Sequence, residues 1–270
     1  MYKVYDNLEE YIVDIKIAAT NGCCTHEMNS TDSWAGDDLK KTINYLETGD
    51  FIRHEQAIEE IINQLQIEGL IASGVPLPSR SYDGSRPNIT AYLTGQPKQM
   101  YKRRRDEHTS INTPLQIYVE TSVSSSISEQ EIVNRGIAVC AFVLAMSAIR
   151  PVELYSVYGL VKNSGNETSS VSAVATKISN NTIDTGRMMY CLTSRSYSRR
   201  IGLCLVSEMH KRYIGAWYPI SYPVDVRKIK ELLNIQNDAI YIPGIHTFDL
   251  AARQNPISWV REKVIEYSQI

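Results

Sequence analysis

The alternation of apolar and polar positions divides the chain into amphipathic stretches of helical period, short β-rich runs and polar breaks. Leu8, Tyr11, Ile12 and Ile15 share one stripe that Asp6 or Asn7 can cap, which predicts a helix from about Leu8 to Ala18. A second helix begins at Asp37 or Asp38, turns Leu39, Ile43 and Leu46 inward and stops at Gly49. A third runs from about Arg53 to Glu68, with Ile58, Ile61, Ile62 and Leu65 at helical spacing, and ends at Gly69. Together they predict an N-terminal helical lobe over residues 1–73. Residues 74–112 collect prolines, glycines and serines and read as a linker or long loop that ends in a basic run.

Residues 113–270 carry a different pattern. Leu115 to Glu120 has the β-branched and aromatic bias of a strand. Ser126 or Ser128 can cap the next helix, with Glu129 and Glu131 in its first turn, where free N–H groups favour carboxylates. From Gly136 onward that helix has almost no polar face, so it is expected to be buried nearly all round. Val152 to Leu160 and Val171 to Ile178 flank a polar turn and read as an antiparallel hairpin. A helix capped by Asp184, an apolar pattern from Tyr197 to Val206, a helix over Val226 to Leu233, a strand over Ala239 to Ile242 and a helix over Pro256 to Tyr267 complete the order. Strand, buried helix, strand, antiparallel strand predicts an α/β fold: a three-layer sheet with one antiparallel edge strand, preceded by the helical lobe.

Composition narrows the function. With 270 residues, 43% apolar content and a net charge of -2, the chain is long enough for a sizeable core and carries no bulk charge for coating duplex nucleic acid or an anionic membrane. The longest apolar run, Gly136 to Ile149, is interrupted by Ser147 and falls short of the ~18 to 20 residues of a membrane span. The N-terminal stretch is acidic where an export signal is basic and then apolar, so the expectation is no export and no membrane. The five cysteines form an odd set, and three of them lie in apolar helical surroundings, which fits free thiols in a reducing compartment.

Several chemistries lack their residues. There is no glycine-rich dinucleotide or phosphate loop, no Gly-x-Ser-x-Gly and no Cys-x-x-Cys pair. His26-Glu27 and His54-Glu55 begin like the zinc-protease helix, but Ser30 and Ile58 stand where the second histidine is needed. These gaps point away from an enzyme. Basic and aromatic residues interleave at Lys102, Arg103, Arg104 and Arg105 and again at Tyr197, Arg199 and Arg200, which offers an alternative reading as a single-stranded nucleic-acid-binding or transcription-associated factor.

The turn after the central strand carries the sharper pattern. Glu120, Ser122 and Ser124 place an acid and two hydroxyls at alternate positions beyond a strand end, where ligands of open α/β sheets tend to sit. The pattern resembles the Asp-x-Ser-x-Ser metal-ion-dependent adhesion motif of von Willebrand A domains, with glutamate in place of aspartate. That resemblance implies Mg²⁺ held by Glu120, Ser122 and Ser124, and a protein-binding face at the strand end.

The whole chain also resembles an uncharacterised family of bacteriophage-encoded proteins. The similarity lies in the order of short motifs: Trp34-Ala35-Gly36 before a Leu-led helix, Ile89 to Pro97 before Met100, Asn134 to Ala138, Ser198 to Ile201, and Trp259 to Glu262 in the closing helix. It implies a viral origin and a single structural unit and supplies no activity. The expected location is the host cytoplasm or the virion, and the incomplete set of catalytic groups at the turn points to a non-enzymatic protein. Its expected role is to bind another viral or host protein during infection or assembly.

Overall fold

A computed structural model describes residues 1–21, 35–71, 80–81, 86–87, 100–101, 113–124, 126–164, 167–180, 183–210, 218–219, 226–245 and 255–268. In chain order the elements are β1 (Tyr2–Tyr5), α1 (Leu8–Thr20), α2 (Leu39–Thr48), α3 (Glu55–Ile67), β2 (Arg80–Ser81), β3 (Arg86–Pro87), β4 (Met100–Tyr101), β5 (Leu115–Glu120) and α4 (Glu129–Ile149). There follow β6 (Val152–Ser164), β7 (Glu167–Asn180), α5 (Thr185–Thr193), a π-helical turn (Tyr197–Gly202) running into α6 (Leu203–His210), β8 (Tyr218–Pro219), α7 (Val226–Leu232), β9 (Ile240–Ile242) and α8 (Pro256–Tyr267).

The α/β class holds, with a mixed sheet ordered β1-β7-β6-β5-β9 and the short β8 beside β6. β5 lies in the interior of the sheet, parallel to β6 on one side and to β9 on the other. β6 and β7 form the antiparallel hairpin. The antiparallel strand is not the edge, however: β1 lies outside β7 and runs parallel to it. β1 escapes a reading of periodicity because three of its four side chains are exposed and Lys3 interrupts its apolar pattern.

The segment expected to stand apart as residues 1–73 shares the main core. Tyr5, Tyr11, Leu46, Phe51 and Leu65 belong to the same buried cluster as α4, α5 and one face of the sheet. A chain of aromatic rings makes the join: Tyr11 meets Tyr197, Tyr197 meets Tyr190, and Tyr190 meets both Tyr45 and Phe51. The segment 74–112 lies largely outside the described residues; what is described of it is a small sheet ordered β2-β4-β3.

α4 is the axis of that core. Ser128 caps it through a reciprocal capping box with Glu131, and every residue from Ala138 to Met146 is buried. Its 21 residues are long and apolar enough for a membrane span, a length the run from Gly136 alone does not reveal, yet 67% of its most apolar stretch is buried inside the protein. It crosses α5 at Gly136, where an added Cβ would lie 2.3 Å from the Leu192 carbonyl oxygen. Only glycine allows that approach. The opposite face of the sheet carries a smaller apolar cluster, in which Tyr118, Tyr155, Val157, Ala173 and Ala175 pack with Ile229 of α7 and with Leu233, Ile235 and Ala239. Helices thus cover both faces, as three layers require, but very unequally. Cys140, Cys191 and Cys204 are buried thiols outside any disulfide, and burial raises the thiols of Cys140 and Cys191 well above their ordinary range.

Candidate functional site at the β5–α4 turn

Alternation along β5 sends Ile117 and Val119 toward α4 and leaves Tyr118 and Glu120 on the α7 side, where Tyr118 stacks on Tyr155. Glu120, at the strand end, is 1% exposed. Its Oε1 accepts from the Ser122 hydroxyl at 2.6 Å, and its Oε2 accepts from the Tyr241 hydroxyl at 3.2 Å and the Gly244 N–H at 3.0 Å. Burial raises its carboxyl above the usual carboxylate range, against the opposing effects of Ser122, Gly244, Arg135 and Tyr241. The Tyr241 phenol is pushed up too, first by burial and then by the Glu120 charge.

Two buried arginines hold the surrounding main chain. Arg135, nearly two turns into α4, donates through Nη2 to the Glu120 carbonyl at 3.1 Å and to the Pro243 carbonyl at 2.6 Å. Arg199, in the π-helical turn, donates to the carbonyls of Ser124 at 3.1 Å and Ile127 at 2.7 Å. A guanidinium suits this task, because its planar fork can serve two carbonyls at once. Arg195 adds an ion pair with Glu129 at 3.1 Å on the outside.

The three residues singled out as metal ligands therefore part company. Glu120 and Ser122 are buried and bonded to each other, while Ser124 is half-buried and exchanges a 3.0 Å hydrogen bond with Ser126. Among the described residues, no group of three or more His, Cys, Asp or Glu side chains is placed to hold a metal. The second interleaved set, offered above as nucleic-acid-binding, is not on the surface: Tyr197, Arg199 and Arg200 are all buried. Tyr197 bonds to Ser156, and Arg200 reaches the Gly36 carbonyl at 3.4 Å. Lys102, Arg103, Arg104 and Arg105 lie outside the described residues.

The partners that sequence reasoning missed are Arg135, Tyr241 and Gly244. An arginine inside an otherwise apolar helix was the available signal for Arg135, since a buried charge needs partners. The chain matches the family described as a domain of unknown function (DUF7192) over residues 1–267. It belongs to that family. No curated protein and no solved structure matches it. The DUF7192 match spans β1 to α8, so the turn and the segments that close over it lie within one family unit.

Proposed function

We propose that this DUF7192 protein is a non-catalytic interaction module, phage-encoded as the sequence resemblance implies, that binds another viral or host protein through the outer part of its β5–α4 turn. The observation that carries this reading is how the turn is divided. Glu120 and Ser122 are buried, with Glu120 accepting from Ser122 and from Tyr241 and Gly244 of the 241–244 segment, whereas Ser126, Ser128, Glu129 and Gln130 stand exposed. The inner half fixes the shape of the outer half, and conformation held before binding lowers the entropy lost on binding.

The path β5, α4, β6 and antiparallel β7, with β9 on the other side of β5, supports a reduced von Willebrand A-like unit to which β1 is an addition. Recognition is metal-independent in this reading, because Glu120 serves the protein's own donors instead of facing a ligand. A photocrosslinking side chain at Ser126, in cells where the protein meets its partner, should give a discrete adduct with one protein. The same group at Ile67, on the exposed side of α3, should give none. Equal labelling from both sites, or none from Ser126, would remove the proposal.

A further inference from the structure

The outer edge of β1 is built to pair with a strand. Met1 donates its amino group to the Val171 carbonyl at 2.8 Å and accepts from the Ala173 N–H at 3.1 Å. In a parallel ladder the residues that bond the neighbour alternate, so Met1, Lys3 and Tyr5 point their main chain at β7. The N–H and C=O groups of Tyr2 and Val4 consequently point away from the sheet, and no described segment lies beside them.

The side chains on this edge are apolar where protection would call for charge. Tyr2 is more than half exposed and Val4 is 42% exposed. Lys3 would ordinarily discourage edge pairing, but it is ion-paired with Asp14 of α1. Tyr5 also donates to Asp14, which places the middle of α1 alongside β1. On that helix Val13 and Ile17, one turn apart, are 55% and 49% exposed.

We infer that β1 and α1 form the interface of a symmetric dimer, in which the β1 strands of two copies pair antiparallel about a two-fold axis at Lys3. In that register Tyr2 of each copy lies opposite Val4 of the other. The two outward N–H and two outward C=O groups of each strand then meet their counterparts in four hydrogen bonds. The Tyr2 and Val4 side chains form cross-strand pairs on one face. On the other, the same axis passes beside α1 and brings Val13 and Ile17 of the two copies together. The two Lys3 ammonium groups, which would repel across the axis, each arrive neutralised by their own Asp14. The self-complementarity argues for a second copy over an unrelated strand, since one axis satisfies edge, helix and charge. The surface covered is on the order of 500 Å² per copy, at the small end for specific association, so the dimer is expected to dissociate in the micromolar range.

Sedimentation velocity on the intact chain, from about 1 to 300 µM, reads this directly. The expected result is a monomer that converts to a dimer as concentration rises. Val4→Pro deletes an outward N–H while leaving the bonds of Lys3 and Tyr5 to β7, and should weaken association at least about tenfold at unchanged Tm. Should Val4→Pro lower Tm, the pair Val13→Glu with Ile17→Glu decides, since it sets like charges against each other at the axis without touching the strand. Ile67→Ser, on α3, should leave the dimer intact. A monomer at every concentration, or a dimer unmoved by both β1 and α1 variants, overturns the inference.

Discussion

At the scale of single residues, Glu120 is the unusual choice in this chain. A carboxylate out of water is tolerated when it is bonded from several sides or when it keeps its proton, and Glu120 combines three donors with a raised carboxyl. The folded state therefore holds that proton more tightly than the unfolded chain does. Its contribution is complete below the ordinary glutamate range and is lost as pH climbs toward the raised value. Asp14 and Glu153 have the opposite sign, since Lys3 with Tyr5 and Lys177 with Gln116 hold their carboxyls below the ordinary range, so their contribution is lost as pH falls. Comparing the chain with Glu120→Gln isolates the first effect. The stability of the natural protein relative to the variant should decline as pH rises above the ordinary glutamate range, and a pH-independent difference in urea titrations would contradict the assignment. Arg135→Met should cost about 2 to 4 kcal/mol, because the Pro243 and Glu120 carbonyls lose their shared donor. The acid and the hydroxyls were legible in the sequence as a turn of special composition. Their orientation was not, because the residues that fix it stand far along the chain, at 135, 199, 241 and 244.

At the scale of elements, helix ends were the most legible features because their chemistry is local. Asn7, Asp38 and Asp184 each accept from the main chain three residues on, and Gly49 takes the left-handed conformation that ends α2. Close crossings depend on a partner and do not show in a local pattern. Gly136 sits where a Cβ would meet the Leu192 carbonyl at 2.3 Å and the Thr193 methyl at 2.6 Å, and neither backbone can move without opening the α4–α5 contact. Gly136→Ala is expected to cost about 2 to 3 kcal/mol despite the better helix propensity of alanine. Ser128→Ala, which removes half of the capping box, should cost about 1 kcal/mol. A chemical-denaturation comparison in which the alanine at 136 proves the milder change would show that the helices are not in close contact there. The basic and aromatic run at 197–200 misled for a related reason. Arginine is usually solvated, but the π-helical turn directs Arg199 and Arg200 inward to carbonyls, and nothing local distinguishes those two outcomes.

At the scale of the molecule, the sheet has one face under most of the helices and another under α7, and its central strand ends at a turn whose inner groups are all directed inward. β1 extends the sheet beyond its hairpin and draws α1 into the main core, which is why the N-terminal third is not a separate lobe. With Glu120 and Ser122 buried and bonded within the protein, the turn presents the surface held in shape that the proposed interaction requires. Addition of Mg²⁺ or Mn²⁺ should accordingly leave its Tm unchanged, whereas an ion bound only by the folded state would raise it. The most direct test of the closed turn is the hydrogen-exchange rate of the Gly244 amide, whose acceptor is Glu120 Oε2. Protection of at least about a hundredfold in the natural chain, lost selectively in Glu120→Ala while the α4 amides stay protected, is the result expected of the latch. A Gly244 amide that exchanges at the rate of an unfolded peptide in the natural chain would show that the turn stands open.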